Sequence, residues 1–254
     1  MSRVFAIANQ KGGVGKTTTV VSVGAFLAAA DRHVLVIDVD PQANATSSLG
    51  IDKHAVPASV YDVIVSGMPV DSALMLTRRV NLDLVPSTPA LAGAEIELVS
   101  VPAREHRLKE ALAPVRGRYD YVLMDCPPSL GLLTVNALAA ADQVIIPVQC
   151  EYLPMEGLAE LMHTIDLVRL HLNPALGICG LLMTMYDART SLAQQVVDEV
   201  RQHFPDKTFQ TIVPRSVRLS EAPSYGEPIL DYAPRSPGGV AYQTLAQEIL
   251  NSER

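Results

Sequence analysis

The chain has little of what a membrane or secreted protein needs. Its apolar runs are shorter than the roughly 20 residues of a membrane span, and the eight residues before Asn9, where the glycine-rich stretch opens, are expected to leave no room for a signal peptide. Its cysteines, Cys126, Cys150 and Cys179, lie far apart without a C-x-x-C pair, which predicts neither a disulfide framework nor a zinc site. We therefore expect a reduced, cytoplasmic protein that does not bind membranes.

Positive charge is also scarce. The 254 residues include 20 lysines and arginines against 27 aspartates and glutamates, so the formal net charge is −7. This balance argues against a surface broadly covered in nucleic-acid-binding charge, although it permits a local basic patch. The six histidines have no metal-ligand spacing, and we assign them no role. Hydrophobic residues make up 48% of the chain, which is enough for the core of one large α/β domain.

What the chain does have is a glycine-rich turn between an apolar predicted strand, 4–8, and an Ala- and Val-rich predicted helix, 20–30. Glycines let backbone N–H groups approach phosphate oxygens, and the N-terminus of the following helix adds positive partial charge. The turn therefore predicts a phosphate-binding loop. A glycine-rich hairpin with two solvated lysines is the alternative, but it leaves the flanking strand and helix unexplained. The predicted loop consists of Lys11, Gly12, Gly13, Val14, Gly15, Lys16, Thr17 and Thr18.

The loop carries the expected chemistry and departs from the common pattern in two places. Lys16 is expected to reach the β- and γ-phosphates, and the Thr17 hydroxyl is expected to bind Mg²⁺. The common G-x-x-x-x-G-K-[ST] pattern has glycine five residues before Gly15, where this chain has Gln10. A second lysine, Lys11, opens the loop.

Carboxylates follow two of the predicted buried strands. Asp38 and Asp40 close the strand 33–38, and Asp125 closes the strand 121–125. Acidic residues at the carboxyl ends of strands beside a phosphate loop lie where open α/β sheets keep their chemistry. Four apolar residues leading into Asp125 match the Walker B pattern, whose carboxylate holds Mg²⁺ directly or through water. An ordinary turn would explain Asp40 alone, but not two carboxylates at one strand end.

The rest of the chain alternates buried strands with helices and contains no repeat, low-complexity tract or linker. Further strands are predicted at 82–86, 143–148, 178–185 and 211–214, and helices at 59–66, 134–141, 154–171, 191–204, 219–225 and 237–251, with shorter helical pieces at 91–99 and 104–113. Such alternation predicts an α/β fold with an open, mostly parallel sheet covered by helices on both faces. We expect a single domain over 1–254.

Four segments together resemble the ParA/Soj chromosome- and plasmid-partition ATPases, which have the deviant Walker A loop of the ParA/MinD class. They are the loop at 11–18, DVDPQAN at 38–44, DCPPS at 125–129 and PRSVRLSEAPS at 214–224. Further matches are QCEY at 149–152 and MYDART at 185–190. The resemblance covers nearly the whole chain. Because no helix-turn-helix segment precedes the loop, the chain resembles the short form of the family.

The resemblance implies that ATP is bound between the two subunits of an ATP-dependent homodimer. Lys11 would cross to the partner's phosphates while Lys16 stays with its own, which suits a transition state stabilised by positioning and charge neutralisation. Asp40 would orient the attacking water. Gly12 and Gly13 would need to be small because two loops face each other across the dimer.

The resemblance also implies a magnesium ion and a base site. Thr17 would be the direct protein ligand of Mg²⁺, with Asp38, Asp40 and Asp125 as the carboxylates around the ion. The candidates for contact with the base are Met185, Val213 and Pro214.

Family members bind DNA without sequence preference when dimeric, and a ParB/Spo0J-type protein stimulates their hydrolysis. The resemblance therefore implies a nucleoid-associated DNA-segregation ATPase whose DNA contacts come from Lys or Arg on phosphates. From residue 180 to the end, seven lysines and arginines stand against nine aspartates and glutamates, so a DNA surface must come from small clusters in two subunits. The candidates are Arg189 and Arg218, followed by Arg215 and Arg235. The alternative for each of them is a structural ion pair or a solvated side chain.

Other functions share parts of this pattern. A MinD-like membrane-organising ATPase would have a basic amphipathic C-terminal helix, whereas the stripe of Ala241, Leu245 and Ile249 predicts packing on the core. A reductase of the nitrogenase iron-protein type would need paired cysteines, and a dethiobiotin-synthase-like enzyme leaves the segment 214–224 unexplained. A related nucleoid ATPase that positions a protein cargo would use the same chemistry and stays open.

Overall fold

One eight-stranded sheet runs through the described residues, which are 2–151 and 154–252 of this computed structural model, with residues 154–156 described by their backbone alone. The strands are β1 (Arg3–Ile7), β2 (Val34–Asp38), β3 (Met75–Leu76), β4 (Leu82–Val85), β5 (Tyr121–Asp125), β6 (Gln143–Gln149), β7 (Gly177–Tyr186) and β8 (Thr208–Pro214). Their order across the sheet is β3-β4-β2-β5-β1-β6-β7-β8. Every neighbouring pair is parallel except β3 with β4, so the other strands end at one common edge.

Helices connect the strands. They are α1 (Lys16–Ala29), α2 (Asn44–Ser48), α3 (Val60–Ser66), α4 (Val70–Ala73), α5 (Ala94–Glu97), α6 (Arg107–Leu112), α7 (Leu132–Ala140), α8 (Pro154–His171), α9 (Ser191–His203), α10 (Val217–Glu221), α11 (Ile229–Tyr232) and α12 (Pro237–Asn251). Short 3₁₀ turns lie at 89–93, 98–100, 104–106, 116–118, 205–207 and 222–225.

The sheet is buried on both faces, as a parallel sheet must be. Along β1, Val4 and Ala6 pack in one hydrophobic core while Phe5 and Ile7 pack in the other. The first core is covered by α3 and α6 to α9, and the second by α1 and α12. The predicted fold class, an open and mostly parallel sheet with helices on both faces, is confirmed.

The predicted elements differ from the structure where local backbone chemistry overrides hydrophobic pattern. Helix α1 begins at Lys16 rather than at residue 20, because Gly15 adopts a left-handed conformation (φ 93°) and lets the loop turn directly into the helix. The predicted helical piece 91–99 is a 3₁₀ turn, one short helix and a second 3₁₀ turn. In α9, the spacing of four residues between Leu192, Val196 and Val200 predicts one apolar face, but Leu192 is 40% exposed, whereas Val196 and Val200 are buried.

Helix α12 has the bounds expected from the sequence and packs on α1 and β8. Its stripe of Ala241, Leu245 and Ile249 is buried in the core, as predicted. Within 2–151 and 154–252, no helix has the length and apolar character that a membrane crossing requires. Tyr152, in one of the segments that carry the resemblance, lies outside the described residues, as do Glu253 and Arg254.

Candidate nucleotide-binding site

The glycine-rich loop lies between β1 and α1, at the edge where the parallel strands end. Side chains from neighbouring elements hold its backbone in place. The Asn9 Nδ2 donates to the Pro147 carbonyl on β6 at 2.7 Å, and the Thr184 hydroxyl on β7 donates to the Val14 carbonyl at 2.9 Å. Gly13 and Gly15 have φ values of 74° and 93°, a region that favours glycine. The loop is therefore fixed by three strands before any ligand arrives.

The two lysines of the loop have opposite environments. Lys16 is only 6% exposed, and its Nζ donates to the Lys11 carbonyl at 3.1 Å across the loop. Burial lowers the pKa of Lys16, and the nearby negative charges of Asp125 and Asp40 oppose this shift. Lys11 is exposed, and no hydrogen bond or ion pair from its ammonium group occurs within the described part of the chain. Lys16 is thus built into the site, while Lys11 faces outward.

Asp125 and Thr17 form the part of the site that suits a magnesium ion. The Thr17 hydroxyl donates to Asp125 Oδ2 at 2.6 Å. Asp125 is fully buried, and its Oδ1 finds no hydrogen-bond partner among the described residues. Buried carboxylate oxygens are normally satisfied, so Oδ1 is an open acceptor beside a hydroxyl, which fits a hard cation.

The site supplies few protein ligands, which itself indicates the kind of metal. In the described ranges, no group of three or more His, Cys, Asp or Glu side chains is placed to hold a metal ion. Mg²⁺ usually keeps several waters and takes one or two carboxylates together with substrate phosphates. A threonine and one open carboxylate beside a phosphate loop therefore fit magnesium better than a metal that needs a closed cage.

Asp38 lies beside Asp125, since the two residues are register partners on β2 and β5. Its Oδ2 accepts the Thr46 N–H at 2.8 Å and the Thr46 hydroxyl at 2.7 Å, and its Oδ1 accepts the Asp40 N–H at 3.2 Å. Both oxygens are thus engaged in holding α2 and the backbone at Asp40. The structure places Asp38 at the site, and its role in the magnesium shell stays a prediction.

Asp40 follows the same strand, two residues beyond the end of β2, and is 6% exposed. Its Oδ1 accepts the Gln42 N–H at 2.9 Å. Burial raises the pKa of Asp125 well above its usual range, and the charges of Asp38 and Asp40 add to the shift. Burial likewise raises the pKa of Asp38 to about 6, against the opposing effect of its hydrogen bonds from Thr46. The three carboxylates thus repel one another electrostatically, and a positive charge near Asp125 would relieve that repulsion.

A cavity of about 260 Å³ adjoins the loop, between the ends of β7 and β8 and helices α10 and α12. The three residues proposed as base contacts, Met185, Val213 and Pro214, all line it, together with Gly15 and Thr18 of the loop. Met185 has a φ of 53°, which is unusual for a residue other than glycine. Such strained positions cluster at ligand sites, and here one lies in the wall of the cavity.

The four candidate DNA-binding arginines are all exposed, and three lie close together in the fold. Arg189 follows β7, whereas Arg215 and Arg218 follow β8, and the Arg215 N–H donates to the Tyr186 carbonyl at 2.9 Å. Arg235 precedes α12. Each of the first three pairs with a carboxylate of the same chain: Arg189 with Asp187 at 2.7 Å, Arg218 with Glu221 at 2.7 Å, and Arg215 with Glu151.

Sequence reasoning missed the residues that hold the site from a distance. Thr46 and Thr184 supply hydroxyls to Asp38 and Val14, and the Tyr242 hydroxyl lies 3.1 Å from that of Thr19. A threonine or tyrosine within an apolar stretch gives no signal of such a contact. Only the three-dimensional packing reveals it.

The strand-loop-helix arrangement, the buried lysine and the two acidic strand ends define the class as a P-loop nucleotide-binding protein. A family model described as an AAA domain, AAA_31, matches residues 2–178. The chain is 56% identical to the sporulation initiation inhibitor protein Soj of Bacillus subtilis, over 98% of both chains. It is 51% identical to the chromosome partitioning protein ParA of Myxococcus xanthus, over 100% of this chain and 89% of that protein.

A solved structure extends the likeness to three dimensions. It is described as cobyrinic acid a,c-diamide synthase from Mycobacterium smegmatis with bound ADP and magnesium, and it matches with a TM-score of 0.88 at 40% identity. The match covers 100% of this chain and 97% of that one. The chain belongs to the Soj/ParA family of chromosome-partitioning ATPases.

Proposed function

We propose that this partition ATPase closes as a homodimer on ATP, binds DNA without sequence preference in that state, and is released by magnesium-dependent hydrolysis that a ParB/Spo0J-type protein stimulates. The observation that carries the proposal is the contrast within the phosphate loop. Lys16 is buried and held by its own chain, whereas Lys11 is exposed at the same loop.

The nucleotide phosphates would lie on the loop from Lys11 to Thr18, where backbone N–H groups and Lys16 meet them. Thr17 and Asp125 would hold Mg²⁺, which when bound neutralises charge on the phosphate oxygens. Asp40, at the edge of the same cluster, would orient the attacking water. The base would occupy the cavity beside Met185, Val213 and Pro214.

The two neighbouring glycines of the loop have different reasons to be glycine. Gly13 requires it for its backbone conformation, with a φ of 74°. Gly12 does not have a positive φ, and a Cβ built on it would meet only the Pro128 Cβ, at 3.9 Å. Since one chain alone leaves room for a side chain at residue 12, the fold of the single chain does not require glycine there. Glycine at this position suits the close approach of the backbone to phosphate, and the second loop that we place across the dimer would require it as well.

The proposed dimer can be tested by the mass of the protein in solution with ATP and Mg²⁺. In an Asp40→Ala background, which we expect to slow hydrolysis strongly, the protein should run as a dimer. Adding Gly12→Val should return it to a monomer that still binds nucleotide. Gly117→Val is the matched control, because Gly117 is also exposed and nothing lies within 4 Å of its added Cβ. A dimer that survives Gly12→Val would refute the facing loops, and a monomer without that substitution would refute the switch itself.

The partition role is tested by the ATPase rate with DNA, with a ParB/Spo0J-type protein, with both and with neither. Strong synergy between DNA and that partner supports partition. Stimulation by DNA without synergy would favour a related ATPase that positions a protein cargo on the nucleoid, and sensitivity to neither would favour a biosynthetic role. Stimulation by lipid vesicles would favour a MinD-like function, which the buried apolar stripe of α12 argues against.

A further inference from the structure

Tyr242, on α12, reaches the phosphate loop through one intermediate residue. The side chain is 1% exposed and lines the cavity beside the loop, between the ends of β7 and β8, which we call the nucleoside cavity. Its hydroxyl lies 3.1 Å from the Thr19 hydroxyl, and Thr19 Oγ1 in turn donates to the Gly15 carbonyl at 2.7 Å. A chain of two hydroxyls therefore connects the C-terminal helix to the last residue before Lys16.

The direction of these two hydrogen bonds follows from counting protons. A threonine hydroxyl has one proton, and that of Thr19 is used on the Gly15 carbonyl, which can only accept. Tyr242 must therefore be the donor in its bond with Thr19. Burial raises the pKa of Tyr242 to about 12, so the phenol keeps the proton that it donates.

The effect on the loop follows from peptide geometry. In a planar trans peptide, the carbonyl of one residue and the N–H of the next point in opposite directions. Thr19 holds the Gly15 carbonyl twice, through its backbone N–H at 2.9 Å, which is the first bond of α1, and through its hydroxyl at 2.7 Å. The hydroxyl therefore adds to the helical bond in fixing this carbonyl, and the Lys16 N–H on the opposite side of the peptide is turned outward, to the side where we expect a phosphate to bind. Thr184 acts in the same way one peptide earlier, since its bond to the Val14 carbonyl turns the Gly15 N–H outward.

The start of α12 fixes the position of Tyr242. The helix begins after Ser236, whose hydroxyl accepts the Gly239 N–H at 3.1 Å. A Cβ on Gly239 would lie 2.5 Å from the Pro234 carbonyl oxygen, so only glycine lets the helix start in this position. The helix then packs along α1, which presents Thr19 to Tyr242.

We propose that Tyr242 is a positioning residue for the nucleotide phosphates, acting through Thr19 on the Gly15–Lys16 peptide. The proposal rests on the phosphate site described under the proposed function. It also gives the C-terminal helix a part in ATP binding, because the Tyr242 side chain lines the nucleoside cavity and helps to orient the Lys16 N–H that would bind phosphate.

The test compares the binding of ADP with the binding of adenosine, which has no phosphate. Tyr242→Phe removes one hydroxyl and keeps the ring in the cavity wall. Losing one buried hydrogen bond should weaken ADP binding about three- to tenfold and raise the KM for ATP more than it lowers kcat. The inhibition constant of adenosine should not change, because adenosine does not contact the repositioned peptide.

Matched variants separate this role from a structural one. Tyr119→Phe also removes a hydrogen-bonded tyrosine hydroxyl, the donor of the 2.9 Å bond to Asp83, but on the opposite core, and should leave ADP binding unchanged. Thr19→Val should weaken ADP binding as Tyr242→Phe does, the double variant should lose no more, and Thr19→Ser should restore wild-type affinity.

Three outcomes would overturn the proposal: unchanged ADP binding in Tyr242→Phe, parallel losses for ADP and adenosine, or additive losses in the double variant. If Tyr242→Phe does not fold, the Thr19→Val and Thr19→Ser pair decides the question. Lys16→Ala in the same assay distinguishes a failure of the phosphate site from a failure of the role of Tyr242. Wild-type ADP binding by Lys16→Ala would refute the phosphate site itself, whereas its loss beside an unaffected Tyr242→Phe would refute only the role of Tyr242.

Discussion

The phosphate loop and the arginine cluster, which consists of Arg189, Arg215 and Arg218, lie at the same edge of the sheet, yet their charges are held in opposite ways. At the loop, Lys16 and Asp125 are buried: the Lys16 ammonium donates to the Lys11 carbonyl within the loop, and Asp125, at the end of β5, accepts from the Thr17 hydroxyl of α1. In the cluster, Arg189 and Arg218 are exposed and pair with carboxylates two or three residues away. Exposed pairs contribute little to stability and exchange partners readily. The first region is preorganised for one ligand, and the second is free to change its partner.

The largest expected effect is at Lys16. Lys16→Ala removes the buried ammonium group that we propose meets the phosphates, so we expect the ATPase rate to fall about 10²- to 10³-fold, with ADP binding weakened in parallel. Lys11→Ala should also abolish stimulated turnover but leave ADP binding to the monomer unchanged, because Lys11 faces outward. Nucleotide binding by fluorescence and phosphate release would measure both. Equal loss of ADP binding in the two variants would contradict the proposal that Lys16 binds the phosphates of its own chain while Lys11 acts on those of the partner.

Next in size is the effect of removing the carboxylate of Asp40. Asp40→Ala should lower turnover about 10²-fold, the usual contribution of a positioned general base, while ATP binding persists and the protein accumulates as an ATP-bound dimer. Rapid-quench kinetics would measure the rate of hydrolysis, and the mass of the protein in solution would show whether the dimer accumulates. Turnover equal to wild type would remove Asp40 from the mechanism.

The two regions also differ in how much of them the sequence could predict. Lys16, Thr17 and Asp125 were predictable because a glycine-rich turn and a buried strand specify their surroundings locally, and the parallel sheet then brings the strand ends together. The hydrogen bonds of Asp38 were not, because Thr46 approaches only after Ala43 turns the chain with a φ of 55°. The contact of Tyr242 with Thr19 spans 223 residues of sequence and depends on how α12 packs.

The arginines show the limit of prediction more sharply. Their positions at the ends of β7 and β8 follow from the strand pattern, but the partners that neutralise them do not, because any exposed carboxylate within reach serves equally well. From the sequence, each arginine is predicted to contact DNA, to form a structural ion pair or to be solvated. The structure shows ion pairs for Arg189, Arg215 and Arg218, which are compatible with both.

A charge reversal in the cluster should have a moderate effect. Arg218→Glu should weaken DNA binding by the ATP-bound dimer about tenfold at low salt and reduce the slope of log affinity against log salt by about 0.9 for each DNA phosphate that the variant no longer neutralises. Arg118→Glu is the matched control, because Arg118 is also exposed and pairs with a carboxylate, Asp71, but precedes β5 at the opposite edge of the sheet. Equally weakened DNA binding in the two variants would indicate a net-charge effect and remove Arg218 from the DNA surface.

The smallest expected effect tests the carboxylate rather than the arginine. Glu221 Oε2 accepts from Arg218 at 2.7 Å and from the Tyr232 hydroxyl at 3.0 Å, and Glu221→Gln keeps an acceptor for both while removing the charge that competes with DNA phosphate. We expect DNA affinity at low salt to rise about two- to threefold, since exposed pairs are weak, with ATPase activity in the absence of DNA unchanged. Glu110→Gln on α6 alters net charge equally and should have no such effect. Because a structural role for the Arg218–Glu221 pair predicts lower stability and no gain in DNA binding, a Glu221→Gln variant that unfolds more easily and binds DNA as wild type would assign the pair to the fold.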